Sequence, residues 1–489
     1  MSKFNFGEYD GRQEYLRGED YFLNSFMLPP NFNTSNISNN KKFIIVGHKG
    51  VGKSSVQLYM ERLRREEGYL TDFLSFYDDL SPNDYLEFSK TQRISFVEVA
   101  NAADATALYD FREVWVRIIL KKIAELLDRD FPSSFTRLMN RSHSGSKSLV
   151  DGIAAGLRIK GDFKLIFGDI GIDYDFSKLS DAGVMPLSDF NELALKLLLE
   201  SHAGAMIFYS IDELVVSNFE TKSDEFKVRM AIIRDVIKSS NKLNNFFVKN
   251  GMDINVVCSL RPEVRDILYN LDSDISKFLD SCYTSVDWNA VEDMHHPLVE
   301  VLFRKVQFGS PTEMSREHVE AMFVGSMDFT KERVPIPLFL LRQSWHRPRD
   351  VVRFLKCYAE KNGGDESFNE DGVKKMLDDY SRISARECFD EISVKYSQET
   401  TMKIRNLIRK NYFSTYDEFI SAFSVLENKI DLEELANDLF NAGVIYNVDR
   451  VDNKNRYFAA HRGVDRLFKD MGIFVHQGLW HYFAIRHRS

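Results

Sequence analysis

The stretch "FIIVGHKGVGKSSV", Phe43 to Val56, constrains this chain more than any other. An apolar run from Lys42 to Val46 reads as a short buried strand and ends abruptly at Gly47. From Gly52 onward Val56, Leu58, Tyr59 and Leu63 fall on one helical stripe, with Arg62, Arg64 and Arg65 elsewhere. Gly47, Gly50 and Gly52 therefore lie in a strand-to-helix turn. The run Gly47-His48-Lys49-Gly50-Val51-Gly52-Lys53-Ser54, followed by Ser55, satisfies G-x-x-x-x-G-K-[ST]. Glycines let successive N–H groups turn inward around a phosphate, and the helix N-terminus adds favourable partial charge. Lys53 is placed to reach outer phosphates, and the Ser54 hydroxyl to ligate Mg²⁺.

The rest of the first half alternates strands and helices. "YLTDFLSFYDDL" reads as a second strand, and residues 107–128 as a helix with Leu108, Phe111, Val114, Trp115, Ile118, Ile119 and Ile123 at helical spacing. "NRSHSGSKS" reads as a Ser/Gly joint. "GLRIKGDFKLIFGDIGIDYDF" alternates apolar and polar residues and predicts an inserted hairpin or meander. Ala205 to Ile211 is an apolar strand with Asp212 and Glu213 emerging at its end. A helix from about Asp224 to Phe246 follows, then a strand from Ile254 to Cys258 ending in Ser259 and Arg261, and a fifth strand in "CYTSVDW". Such alternation, with polar residues gathering at strand ends, predicts a doubly wound parallel α/β sheet. The expected organisation is an N-terminal extension over 1–40, a core over 41–289 with a β-rich insertion over 141–187, a helical lid over 290–366, and a helical and winged-helix region over 367–489.

The strand ends carry the chemistry. Asp212 follows an apolar run and is placed to hold Mg²⁺, which keeps part of its water shell and takes few protein ligands. Glu213 is placed to orient or deprotonate an attacking water. Ser259 and Arg261 end the strand expected between the cradle strand, which runs to Gly47 and its phosphate-cradling turn, and the acidic strand, which runs to Asp212 and Glu213. Arg261 there either contacts a terminal phosphate or pairs with a nearby carboxylate. Arg347 and Arg349 flank Pro348 at a predicted helix start, where a guanidinium can reach a γ-phosphate. "NKID", Asn428 to Asp431, matches a guanine-reading motif but precedes a helix with Glu434 three residues on, which is the pattern of an N-cap. Adenine is the expected base.

The 489 residues carry a net charge of -9, which argues against bulk attraction to nucleic acid. Cys258, Cys282, Cys357 and Cys388 lie far apart without metal-ligand spacing, and read as reduced thiols. The polar N-terminus lacks a signal-peptide pattern, and no apolar run reaches the length of a membrane span. A soluble cytoplasmic protein, not membrane-associated, is expected.

These pieces together resemble the STAND and AAA-type branch of P-loop ATPases, carried by "GHKGVGKSS", "IFYSIDEL", "VVCSLRPEV" and "HRPRDVVRFL". The chain is similar in particular to bacterial STAND-like ATPases with an R-P-R-D lid and a C-terminal "GVIYN…YFAAHRG…VHQGLW" region. The resemblance implies that Lys53, Ser54, Asp212 and Glu213 serve ATP and Mg²⁺ in hydrolysis, and that Arg349 senses phosphate. It further implies an ATP/ADP switch acting on a homo-oligomer or an effector protein, in a setting of phage defence. The insertion near 149–176 and the absence of a visible repeat array depart from that pattern. The alternative is a nucleic-acid-handling AAA-type ATPase whose winged helix contacts DNA. The acidic helix "DLEELANDLFNAG" disfavours it, because a recognition helix facing phosphates is basic.

Overall fold

A computed structural model describes residues 1–76, 79, 110–128, 132–141, 187–214, 224–329, 332–393, 395–451, 454–464 and 466–485, with four short strands inside 157–185. The chain divides into two compact units. One comprises Asn33–Val46 and Gln57–Ser285; the other comprises Met1–Phe32, Gly47–Val56 and Val286–Ser489.

The first unit is built on a five-stranded sheet. Its strands are β1 (Ile44–Val46), β2 (Leu70–Ser75), β3 (Met206–Leu214), β4 (Asp253–Leu260) and β5 (Tyr283–Ser285), in the spatial order β2-β3-β4-β1-β5. Every pairing is parallel. β1, β3 and β4 are almost wholly buried, which is why their sequences run apolar without alternation. Helices α1 (Lys53–Glu66, in this unit from Gln57), α2 (Arg112–Leu127), α3 (Leu187–His202) and α4 (Asp224–Lys249) complete the βα pattern. Within the unit α2 packs on α3, α4 and β2, and α4 packs on β4. Trp115, Ile119, Leu198, Ile207, Ile233 and Val256 are among the residues that close the core. This is the P-loop type of α/β fold, and β4 lies between the cradle strand and the acidic strand as its sequence predicts.

Inside the insertion, Lys164–Ile166 pairs antiparallel with Asp173–Asp175, and Leu157–Arg158 with Val184–Met185. The Ser/Gly joint from residue 142 lies outside the described residues. β3 runs further than expected: Asp212 and Glu213 sit inside it, not beyond its end.

The second unit carries α5 (Pro297–Gly309), α6 (Pro348–Lys361) and α7 (Glu370–Ser393). Pro348 occupies the first turn of α6, with Arg347 as its N-cap, as the fixed proline φ favours. α6 packs along α7, with Phe354 stacked on Tyr380 at 3.8 Å. Short strands interrupt the region read as purely helical. Ser326–Phe329 pairs with Glu332–Pro335, where Gly325, at φ +97°, and Pro335 bound the hairpin. The N-terminal segment belongs to this unit: the Met1 ammonium donates to the Asp365 carbonyl at 2.8 Å, and Lys305 forms a buried ion pair with Glu14.

Towards the C-terminus, helices Gln398–Leu407 and Tyr416–Ala422 precede α8 (Leu432–Asn441). The Asp431 side chain caps α8 by accepting the N–H of Glu433 at 2.9 Å and of Glu434 at 3.1 Å. β6 (Ile445–Val451) and β7 (Lys454–Phe458) form an antiparallel hairpin, and β8 (Gly472–Val475) joins β6. The apolar spacing of "HQGLWHYFAIRHRS" on its own predicts a C-terminal helix, but among the described residues only a 3-10 turn, Gln477–Leu479, follows β8. Local contacts override helical periodicity here. A Cβ at Gly478 would sit 2.5 Å from the Gln343 carbonyl oxygen, and the Trp480 indole donates to the Val475 carbonyl at 2.9 Å. Ala484, at φ +52°, turns the chain again.

Candidate nucleotide site

The cradle loop and the R-P-R-D turn belong to one unit. Gly50 and Gly52 have φ of +83° and +95°, values that side-chain-bearing residues rarely adopt. Gly50 is also a point of close approach: a Cβ there would lie 3.3 Å from Arg349 Cβ and 3.4 Å from Arg347 Cδ. The Arg349 N–H faces the Gly50 carbonyl at 3.4 Å, and the Trp288 indole donates to the Val51 carbonyl at 2.9 Å. Lys53 opens α1 and folds its ammonium back over the loop, donating to the carbonyls of Gly47 at 2.7 Å and His48 at 3.1 Å. A loop that bends at two positive-φ glycines, under an ammonium and at a helix start, fits a phosphate group. Ser54 and Ser55 stand half-buried in the first turn.

Cations crowd the R-P-R-D turn. Arg347 is 5% exposed. Asp350 is buried too; it accepts the Trp345 N–H at 2.9 Å and pairs with Arg353 at 3.0 Å. Glu387 of α7 receives Arg349 Nη1 at 2.7 Å on Oε1, with Lys49 Nζ at 3.7 Å from the same oxygen. Its Oε2 takes Arg353. Burial by itself would raise the Glu387 carboxyl, but Arg353, Arg349, Arg347 and Lys49 hold it well below the usual carboxylate range. Burial likewise raises the Asp350 carboxyl against the pull of Arg353 and Arg347.

The acids belong to the other unit, in which β1 lies beside β4 and β4 beside β3. Ile211 pairs with Cys258 but Leu214 with Leu260, so β3 gains one residue over β4 in a bulge that holds both acids. Bulges re-aim side chains and occur often beside active sites. Glu213 has φ +61°, an uncommon conformation for a residue with a Cβ. The two carboxylates find different partners. Asp212, 2% exposed, accepts the Ser259 hydroxyl of β4, whereas Glu213 accepts the Ser75 hydroxyl of β2 at 2.7 Å. A single buried carboxylate is a ligand of the kind Mg²⁺ accepts, since it retains its waters and takes few protein ligands. Among the described residues no group of three His, Cys, Asp or Glu could hold a metal. Arg261 occupies the N-cap position of the helix Pro262–Leu271 without a side-chain cap bond and lies 3.6 Å from Glu263, a neighbouring-carboxylate pairing of the kind the sequence left open.

Ser75 and Glu387 were not singled out in the sequence. Ser75 ends β2 in register with Asp212, and a strand-end serine beside an acidic strand end is the signal that could have found it. Glu387 lies in "ARECFDE", which carries no motif.

No protein-family model and no curated protein matches this chain. Solved structures similar to it include the following two. Cdc6p from Pyrobaculum aerophilum is 14% identical with a TM-score of 0.33, over 94% of this chain and 92% of that one. ORC2 from Aeropyrum pernix, in its ADP form, is 10% identical with a TM-score of 0.33, over 90% of this chain and 93% of that one. The assignment to the P-loop type rests on the sheet order and the loop. No described helix is long and apolar enough to cross a membrane.

Proposed function

We propose that the chain is an Mg²⁺-dependent ATP-binding and hydrolysing switch of the STAND-like kind, acting on a homo-oligomer or an effector partner, with phage defence as its setting. The observation that carries the reading is the G-x-x-x-x-G-K-S loop, bent at Gly50 and Gly52 with Lys53 drawn across it. The loop amides from Gly47 to Ser55 hold phosphate oxygens, and Lys53 neutralises their charge. Mg²⁺, when bound, draws charge from the outer phosphates; Ser54 and Asp212 are the residues that would hold it. Glu213, oriented by Ser75, positions water for attack. Arg349 responds to the terminal phosphate, with Arg347 as the competing candidate, and Arg261 at the end of β4 takes a supporting role. Asp431 is engaged as a helix cap, which favours adenine over guanine as the base.

The C-terminal helices with the β6–β7 hairpin read as a winged helix that packs on protein. On α8, Glu433 pairs with Lys469 at 2.6 Å, and Asp438 with Lys395 at 2.9 Å. A helix whose acids are matched by lysines of its own chain is poorly suited to facing phosphates, so DNA contact is the weaker reading.

Calorimetry with Mg-ATP on Lys53→Ala tests the proposal. The variant should lose detectable binding while keeping its thermal transition. Wild-type affinity in a folded Lys53→Ala protein would defeat the cradle reading.

A further inference from the structure

The Glu387 carboxylate lies between a cation of the cradle loop and two of the R-P-R-D turn and helix. One oxygen faces both Lys49 of the cradle loop and Arg349 of the turn, at 3.7 and 2.7 Å, while the other holds Arg353. Lys49, Arg347, Arg349 and Arg353 are offset here in part by Asp350, Glu387 and the nearby Glu391. Asp350 is fixed from several sides: it is 1% exposed, pairs with Arg353 and accepts the Trp345 N–H. Glu387 differs, because it bridges groups from the loop and from the turn. Arg349 is only partly buried, and its Nε is tied to the Tyr9 carbonyl at 2.9 Å, so its remaining charge is directed at Glu387.

We infer that Glu387 is a positioning residue that sets the preference between nucleoside di- and triphosphate by competing with the terminal phosphate for Arg349. The inference rests on the nucleotide reading above. A diphosphate leaves the Arg349–Glu387 pair intact. A triphosphate offers a rival anion and must separate the pair, at the cost of a charge-assisted hydrogen bond. Because Glu387 is carried by α7, the same exchange gives that helix a different partner in the two nucleotide states.

The test measures dissociation constants for ADP and for a non-hydrolysable ATP analogue, both with Mg²⁺, on full-length wild type, Glu387→Gln and Glu387→Asp. Gln keeps an acceptor for Arg353 but removes the competing charge. Glu387→Gln should raise the preference for the triphosphate about tenfold, the factor expected from losing one charge-assisted contact on the competing side. Glu387→Asp, with its carboxylate withdrawn by one methylene, should shift the ratio the same way by less, and it serves if the Gln variant fails to fold. Equal changes for both nucleotides, as a merely structural role would give, or an unmoved ratio would overturn this inference alone. A wild type that binds neither nucleotide would overturn the cradle reading and this inference with it.

Discussion

Gly50 and Gly52 in the cradle loop, and Glu213 in the β3 bulge, all sit at positive φ, so each region bends its backbone to aim groups. The charges around them are balanced in different ways. Beside the cradle, Arg349, Arg353 and Lys49 meet the carboxylate of Glu387. At the strand ends, the buried Asp212 meets a neutral hydroxyl, that of Ser259. A charge held by a neutral donor keeps its full sign for a ligand, whereas a charge held by a counterion must be exchanged for one. The cradle region is therefore expected to be fixed by ion pairs and sensitive to their removal, and the acidic region to be tuned by single hydroxyls.

The largest effect should come from breaking a buried pair in the cradle unit. Arg353 is 3% exposed and serves Asp350, Ser384 and Glu387 at once. Arg353→Met leaves buried carboxylates short of a partner, and should cost about 3–5 kcal/mol of unfolding free energy. Urea unfolding at neutral pH measures it. A loss below about 1 kcal/mol, the range of exposed pairs, would mean that Arg347 and Arg349 alone satisfy those acids.

Acid should separate the two units next. In the cradle unit, burial pushes the His296 imidazole down to about 4, assisted by the His346 ring 5.1 Å away and opposed by Glu292 and Asp293. Burial also drives His461 and His476 well below the ordinary value. Their folded values lie below the unfolded value of 6.5, so this stability is complete above pH 6.5 and is lost as pH falls below it, for His296 towards 4. Burial would raise Glu292, but His346 and Arg462 bring it down to about 2, which adds a second loss from about 4.5 to 2. In the sheet unit the signs are mixed. Burial raises Glu61 and Asp235, which favours the folded state in acid, while Asp110 and Asp272, which burial alone would raise, are lowered by Arg112 and Lys238. The cradle unit should unfold first on acidification. His296→Asn, which keeps an acceptor for the Leu298 N–H, should remove about 3 kcal/mol of the loss between pH 6.5 and 4. An unchanged pH slope in that variant would place the acid sensitivity elsewhere.

The same contrast marks what the chain discloses before folding. The strands of the sheet, the cradle turn, the Pro348 helix start and the Asp431 cap are short-range features, each written in a few consecutive residues. The bulge at Asp212 and Glu213 is not, because it depends on the register that β3 takes against β4 beyond Ile211. Nor does local sequence tell that Met1–Phe32 joins Val286–Ser489, since the Glu14–Lys305 pair spans almost three hundred positions. Glu387 is hidden for the same reason: its meaning comes from Arg349 and Lys49, and nothing in its own helix singles it out. The C-terminal tail shows the converse: its apolar spacing is helical, yet the chain makes only a 3-10 turn where Gly478 packs closely against Gln343.

The smallest predicted effect tests the acidic half most finely. Ser75 ends β2, in register with Asp212, and its hydroxyl donates to Glu213 at 2.7 Å. Glu213 at φ +61° has its backbone set by the bulge, so the hydroxyl has only the carboxylate's rotation left to fix. On the proposed reading Glu213→Gln removes the charge that orients water, and should slow hydrolysis by at least ~100-fold while Mg-ATP still binds. Ser75→Ala keeps that charge and removes one orienting hydrogen bond, worth about 1 kcal/mol, so the rate should fall roughly fivefold with nucleotide affinity unchanged. Single-turnover hydrolysis with matched binding measurements separates the two. If Ser75→Ala costs as much as Glu213→Gln, the hydroxyl is itself part of the machinery and not a guide for Glu213. If both variants hydrolyse at the wild-type rate, the acid that positions water lies elsewhere, and the neutral-donor account of the acidic half fails with it.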